Sequence, residues 1–234
     1  MQIEGKTVLV TGANRGIGKA LVDEALARGA RRVYAGTRQP FTPADDRVTT
    51  VTLDVTERAH IRAAAEAVDS LDVLINNAGL ALYVDLADRA ALERQLEVNL
   101  FGPYDLSQAF LPALIRSRGS IINVLSISAL ASVPFSPAYA ISKAAAFSLT
   151  QSLRTLLVAQ GVTVHSVLSG PVDTDMSRNL EIPKASARSV ATAIFEGVDR
   201  GDEEIFPDPM TAPVAEGWYG GIGKALERQF AALA

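Results

Sequence analysis

Short runs of β-branched and apolar residues alternate with longer helical stretches along the whole chain, and this alternation restricts the fold more than any other feature. "TVLVTGA" (7–13), "RRVYAGT" (31–37), "VTTVTLDV" (48–55), "LDVLINNAG" (71–79), "GSIINVLS" (119–126) and "VTVHSVLSG" (162–170) read as strands. Several are apolar at nearly every residue, as expected when helices cover both faces of a sheet. Helices are predicted to begin near Gly16, Glu57, Asp88 and Pro137, with another near 186–199 and a short segment around "RQPFTPADD". "EEIFPDP" (203–209) can supply a seventh strand. Such alternation implies right-handed crossovers and a doubly wound, mainly parallel seven-stranded sheet flanked by helices. No linker or repeat interrupts it, so residues 1–234 read as a single α/β domain. Ligands of such sheets sit outside the carboxyl ends of the strands, where the strand order reverses. The loops after the strands are therefore where function is to be sought.

Composition narrows the classes. Hydrophobic residues make up 48% of the chain, enough for a continuous core. A net charge of −4 with no basic run argues against a nucleic-acid partner or an anionic membrane surface. With no cysteine, disulfides, thiolate catalysis and cysteine-based metal sites are excluded. The N-terminus leads almost directly into a strand without the apolar segment of a signal peptide, and no apolar run is long enough to span a bilayer. A cytoplasmic protein with no membrane contact is expected. His60 and His165 lie far apart and lack nearby carboxylates, so no metal site is expected.

The first loop to inspect is "TGANRGIG". Gly12, Gly16 and Gly18 lie between an apolar strand and a helix, where a backbone can approach a pyrophosphate and the helix N-terminus favours the anion. Glycines in such a turn also serve close packing. A site for NAD usually has an acidic residue about 20 residues on, holding the ribose 2′-hydroxyl. Here that strand ends Gly36-Thr37-Arg38, with an arginine where the carboxylate would be. A guanidinium pairs bidentately with a 2′-phosphate. Arg15, within the glycine loop, adds a second cation, and the two together favour NADP(H) over NAD(H).

A second stretch, "SPAYAISKAA", opens an apolar, alanine-rich helix. Ser136 suits the N-cap, Pro137 the first helical position, and Gly161 a left-handed stop beyond the helix. Tyr139 and Lys143 then share one face, a turn apart. Such a pair alone reads first as a buried tyrosine beside a snorkelling lysine.

Taken together, "TGANRGIG", "LDV" with Asp54, "NNAG" (76–79), "VNLFG" around Asn99, Ser126 and "YAISK" resemble the short-chain dehydrogenase/reductase family, of Rossmann fold, in that family's order and spacing. The resemblance runs from Gly5 to about Thr174. It implies that Gly12, Asn14, Arg15, Gly16, Ile17 and Gly18 carry the cofactor phosphates, and that Thr37 and Arg38 flank the adenosine ribose. It further implies that Asp54, with Val55 beside it, meets the adenine amino group, and that Asn77, Ala78 and Gly79 lie against that ribose. Gly170, Val172 and Thr174 match the nicotinamide-side loop. Asn99, Ser126, Tyr139 and Lys143 match the catalytic tetrad. Ser126 has the family's separation from Tyr139; its neighbour Ser128 does not.

Reduction of a carbonyl needs hydride on carbon and a proton on oxygen. A free tyrosine titrates near pH 10, and a protonated lysine one turn away favours its phenolate. In the implied roles Tyr139 is general acid and base, and Ser126 hydrogen-bonds the substrate oxygen. Lys143 also binds the nicotinamide ribose, and Asn99 holds a water that relays protons to Lys143.

The chain departs from the family in two places. Ser169 replaces the proline that often opens the nicotinamide loop, which puts the rigidity of that loop in question. The C-terminus, about 203–234, reads as a strand and a helix rather than the ending common in ketoacyl-carrier reductases. "GGIGKAL" (220–226) echoes the first glycine loop, but no strand precedes it, so it reads as a glycine-started helix. His165 is expected to be structural, and Asp173 and Asp175 to cap the helix of a substrate lid at about 175–190. Leu82, Tyr83, Leu130, Phe135 and Met176 are expected to line an apolar substrate pocket.

The expected activity is NADPH-dependent reduction of a small apolar or aryl ketone or aldehyde, and the reverse oxidation, by a homodimer or homotetramer paired through the helices holding Asn99 and Tyr139. The alternatives are an NADP(H)-binding regulator or scaffold without turnover, and a ketoacyl-carrier, enoyl or imine reductase of the same fold.

Overall fold

In the computed structural model, which describes residues 1–232, seven strands form one sheet. They are β1 (Thr7–Thr11), β2 (Arg32–Thr37), β3 (Val48–Thr52), β4 (Val73–Asn76), β5 (Ser120–Val124), β6 (Thr163–Val167) and β7 (Glu204–Ile205). Their order is β3-β2-β1-β4-β5-β6-β7. Every pairing is parallel, so the sheet is parallel throughout rather than mainly so. The helices are α1 (Gly16–Ala27), α2 (Arg58–Ala67), α3 (Arg89–Leu96), α4 (Gly102–Ser117), α5 (Pro137–Leu157), α6 (Ala187–Arg200), α7 (Val214–Tyr219) and α8 (Ile222–Ala231).

The unbroken apolar strands follow from the two-fold side-chain alternation of a doubly covered sheet. Val8, Val10, Val73, Ile75, Ile122 and Val124 turn to the face covered by α1 and α6 through Leu21, Val22, Ile194 and Phe195. Leu9, Leu74 and Ile121 turn to the opposite face, against Ile61 of α2, Phe110 and Leu114 of α4, and Leu153 and Leu157 of α5. Fully burying each such side chain contributes roughly 1.5–3 kcal/mol, which ties register to core on both faces at once.

Two connections differ from expectation. The helix predicted from Asp88 is two helices joined by a π-helical turn, Glu97–Phe101. Asp88 does cap it, accepting from the Ala91 N–H at 2.9 Å. Gly102 follows the turn because a Cβ there would lie 2.9 Å from Val55 Cγ2. The segment "RQPFTPADD" forms bends and no helix, its end held by an Arg47–Asp45 ion pair at 2.7 Å.

After β7 the chain makes two helices, not one; α7 precedes α8 and starts just after the prolines at 207, 209 and 213, with Pro213 at its N-cap. The echo of the glycine loop is a helix start, as expected, with Gly221 at the N-cap. Charge and packing hold this tail to the sheet. Lys224 of α8 is fully buried between Glu203 (2.5 Å), Glu204 (2.8 Å) and Glu227 (2.9 Å). Arg154 of α5 pairs with Glu204 at 2.8 Å and with Glu227. Trp218 Nε1 donates to Glu204 Oε2 at 3.0 Å, while its ring meets Phe147 edge-on. The three carboxylates lie within 4.8 Å of one another, and Lys224 and Arg154 between them offset all but one of the three negative charges.

Candidate active site

The strand order reverses between β1 and β4, and the glycine loop and the "NNAG" loop meet at that point. Thr11, at the end of β1, is buried, and its hydroxyl accepts the N–H groups of Asn77 and Ala78, both at 2.9 Å. Asn77 reciprocates, donating Nδ2 to Thr11 O at 2.8 Å. Gly12 (φ +64°) and Gly16 (φ +54°) occupy left-handed backbone that favours glycine. A Cβ on Gly18 would fall 2.1 Å from Gly12 O. The loop is thus drawn tight against the start of α1, and the N-cap residue Arg15 makes no side-chain cap there. First-turn N–H groups of α1 without a capping side chain, over a cradle that side chains would fill, fit a pyrophosphate.

At the end of β2, Thr37 is buried, with its hydroxyl donating to Gln39 O at 2.8 Å, and Arg38 is exposed. Asp54 Oδ1 accepts from the backbone and hydroxyl of Thr56 at 3.0 and 2.8 Å. The Asp54 N–H donates to His60 Nδ1 at 3.3 Å. His60 therefore shapes this turn, a role its place in the sequence gave no sign of.

Asn99, Ser126, Tyr139 and Lys143 converge at the carboxyl ends of β4 and β5. Lys143 is buried, donates Nζ to Val124 O at 2.9 Å, and lies 5.7 Å from the centre of the Tyr139 ring. Burial pushes Lys143 down to about 8. Burial also pushes Tyr139 up to about 12, opposed by a hydrogen bond from Ser126. The lysine charge was expected to lower the phenol; withdrawal from water is the larger effect here. Ser126 is itself oriented by Ser128, whose N–H and hydroxyl both donate to its Oγ, at 3.2 and 3.0 Å. Ser128, the rejected competitor, thus becomes its support.

Asn99 sits within the π-helical turn, buried. Its Oδ1 accepts from Leu80 N at 2.9 Å, and its Nδ2 donates to Leu80 O at 2.8 Å and to Ser142 Oγ at 2.9 Å. Ser142 in turn donates to Tyr139 O at 2.7 Å. The Asn99 side chain thus clamps the loop after β4 to α5.

After β6, Asp208 braces the loop that Ser169 opens. This buried carboxylate accepts from Gly170 N at 2.7 Å and from Met210 N and Thr211 N at 3.1 Å. A Cβ on Gly170 would lie 2.9 Å from Asp208 Oδ1, so the loop closes on it directly. Val172 is buried and forms a parallel bridge to Ala185. Thr174 packs near Gly16, whose added Cβ would lie 3.1 Å from Thr174 Cγ2. The aspartates do not cap the turn Asp175–Ser177: Asp175 pairs with Arg15 and Arg178, and Asp173 contributes its N–H to Ala185 O at 2.8 Å. Ser136 likewise makes no side-chain cap on α5; its hydroxyl reaches Leu82 O at 3.5 Å. His165 is structural, with Nδ1 2.7 Å from Asp202 O, and burial lowers its pKa.

Three of the expected pocket residues come together. Tyr83 and Phe135 place their rings 6.4 Å apart, and Tyr83 Oη donates to Met176 O at 3.1 Å. Leu82 is held from behind, its N–H donating to the buried Gln95 Oε1 at 3.0 Å. Leu130 leans onto the apolar cluster of Leu125, Ala146, Phe147 and Leu168.

The family model for short chain dehydrogenases matches residues 6–185. A 3-oxoacyl-[acyl-carrier-protein] reductase from Vibrio cholerae is 34% identical over 200 residues, 80% of this chain and 82% of that one. A short chain dehydrogenase from Burkholderia cenocepacia, solved in complex with NADP, is 39% identical and superposes with a TM-score of 0.89 over 98% of both chains. An NADPH-bound carbonyl reductase from chicken fatty liver is 30% identical, with a TM-score of 0.75 over 82% of this chain and 90% of that one. The protein belongs to the short-chain dehydrogenase/reductase family and is an oxidoreductase of Rossmann fold.

Proposed function

We propose that the protein reduces a ketone or aldehyde to an alcohol with NADPH, and runs the reverse oxidation, with Tyr139 as general acid and base. The observation that carries this reading is the meeting of Tyr139, Lys143 and Ser126 at the carboxyl end of the sheet, beside a glycine cradle. The bound nicotinamide supplies the hydride in reduction and accepts it in oxidation. Gly12, Asn14, Arg15, Gly16, Ile17 and Gly18 would hold its phosphates, with Thr37, Arg38, Asp54, Val55, Asn77, Ala78 and Gly79 around the adenosine and Gly170, Val172 and Thr174 at the nicotinamide end.

Tyr139 is protonated at neutral pH, as a proton donor to a carbonyl oxygen must be. Ser126, held by Ser128, presents its hydroxyl to the same oxygen as charge develops there. Lys143 is close enough to stabilise the phenolate left behind, and Asn99 keeps α5 and the loop after β4 in register. Tyr83, Phe135 and Met176 shape an apolar cover, which supports a small apolar or aryl carbonyl. The exposed Arg38, with no carboxylate at the end of β2, supports NADP(H), as does the NADP held by the Burkholderia relative. The Vibrio relative's name keeps a 3-oxoacyl thioester in view as the competing carbonyl. Exposed Phe101, Tyr104 and Ile141, on or beside α4 and α5, support self-association through those helices.

The test is consumption of NADPH, followed at the nicotinamide absorbance band, against apolar ketones, aryl aldehydes and a 3-oxoacyl thioester. NADH and Tyr139→Phe run in parallel. Turnover of the apolar carbonyls with NADPH, lost by at least about 100-fold in the variant, is the expected result. Turnover confined to the thioester would replace the substrate class. Tight NADPH binding without turnover of any carbonyl would favour the regulator or scaffold.

A further inference from the structure

Arg15 is engaged away from the adenosine side of the cleft. Its Nη1 donates to Asp175 Oδ2 at 2.7 Å, joining residues 160 positions apart. The other oxygen of Asp175 is taken by Arg178. The contact ties the N-cap of α1 to the turn Asp175–Ser177, the segment that also carries Met176 and its bond from Tyr83. Arg38, by contrast, is exposed, and no ion pair or hydrogen bond among the described residues engages its side chain.

We propose that Asp175 is a determinant of cofactor preference, acting by competing with the 2′-phosphate for Arg15. The inference rests on the reading of NADP(H) as the cofactor. The Arg15 and Asp175 side chains are 63% and 44% exposed, so their pair is weak and screened by salt. A dianionic phosphate offers a guanidinium more charge and more acceptor oxygens than this carboxylate does. A 2′-phosphate therefore draws Arg15 off Asp175, and Arg178 stays behind to neutralise the carboxylate. A dinucleotide without that phosphate leaves Arg15 on Asp175 and the turn tied down. Part of the affinity available from Arg15 is thus spent on breaking the pair, and the phosphate group is held less tightly than two free arginines would hold it.

The test compares binding of 2′,5′-ADP and 5′-AMP, which differ only in the 2′-phosphate, by isothermal titration calorimetry and without turnover. Asp175→Asn should raise the affinity ratio of 2′,5′-ADP to 5′-AMP by up to about fivefold, the upper end of the range set by an exposed ion pair. In an Arg15→Ala background the same substitution should leave the ratio unchanged. An equal rise in both backgrounds would mean that removing a negative charge acts through the general field, and would overturn the proposal. So would no rise in either. Wild-type protein that fails to discriminate the two nucleotides would instead overturn the NADP(H) reading itself. Both side chains are exposed, so the variants should keep the wild-type unfolding midpoint, which circular dichroism checks.

Discussion

Replacing Lys143 by methionine should make the folded protein more stable at neutral pH while abolishing turnover. The lysine is buried, and burial lowers its pKa from the ordinary 10.5 to about 8. At ~1.4 kcal/mol per tenfold change in the proton equilibrium, this places the cost of its folded-state charge at roughly 3 kcal/mol. The sign follows from proton counting. Between pH 8 and 10.5 the unfolded chain holds this proton and the folded one does not, so the lysine's contribution to stability rises with pH across that window. Below it, both states are charged and the wild type carries the whole cost. Methionine removes the charge, but it also leaves Val124 O without its 2.9 Å donor, a loss of about 1 kcal/mol. The variant should therefore be about 2 kcal/mol more stable at pH 7, and about 1 kcal/mol less stable above pH 10.5. The two stability curves cross between these values. Urea unfolding of both proteins at matched concentration, in steps from pH 6.5 to 10.5, measures the difference, and groups common to the two largely cancel. A difference that does not change with pH would refute the argument, because it would mean that Lys143 is not held charged against its burial.

Two further substitutions test the supports of the site. Asp208→Ala removes the acceptor for Gly170, Met210 and Thr211; it should cost about 3 kcal/mol in urea unfolding and raise the KM for the nicotinamide cofactor, whereas Asp208→Asn, which retains an acceptor oxygen, should be milder. Lys224→Met leaves the buried Glu204 with one cation fewer and should destabilise by about 3–5 kcal/mol, with little change in the KM for the cofactor in whatever protein remains folded.

The sheet was legible because its strands sit between two helical layers, which makes them apolar on both faces, and because glycine and proline mark their ends. The glycine loop, Asp54, "NNAG" and the Tyr139–Lys143 pair could be placed because their spacing is local to a single turn or helix. The supports could not. Asp208 reaches Gly170 across 38 residues, and Ser142 reaches Asn99 across 43, so neither contact leaves a local pattern. The aspartate between prolines at 207–209 marks a turn, but not the loop it would brace. Arg15 was legible as a cation beside the cleft, while its partner lay 160 residues away. The π-helical turn was hidden because its residues, "EVNLF", suit an ordinary helix equally well.

The chain writes the word GIGKAL twice, at 16–21 and 221–226, and folds it with opposite sides inward. In α1 Leu21 enters the core and Lys19 stays in water beside Asp23; in α8 Lys224 is engulfed and Leu226 lies 41% exposed. The six letters fix helicity and leave orientation open. What decides it is the surface each copy lands on: an apolar sheet face in one case, a nest of glutamates in the other. An exchange of these two hexapeptides would alter nothing in the sequence, yet each copy is locked into its own environment. A glycine motif acquires its meaning from the strand that delivers it.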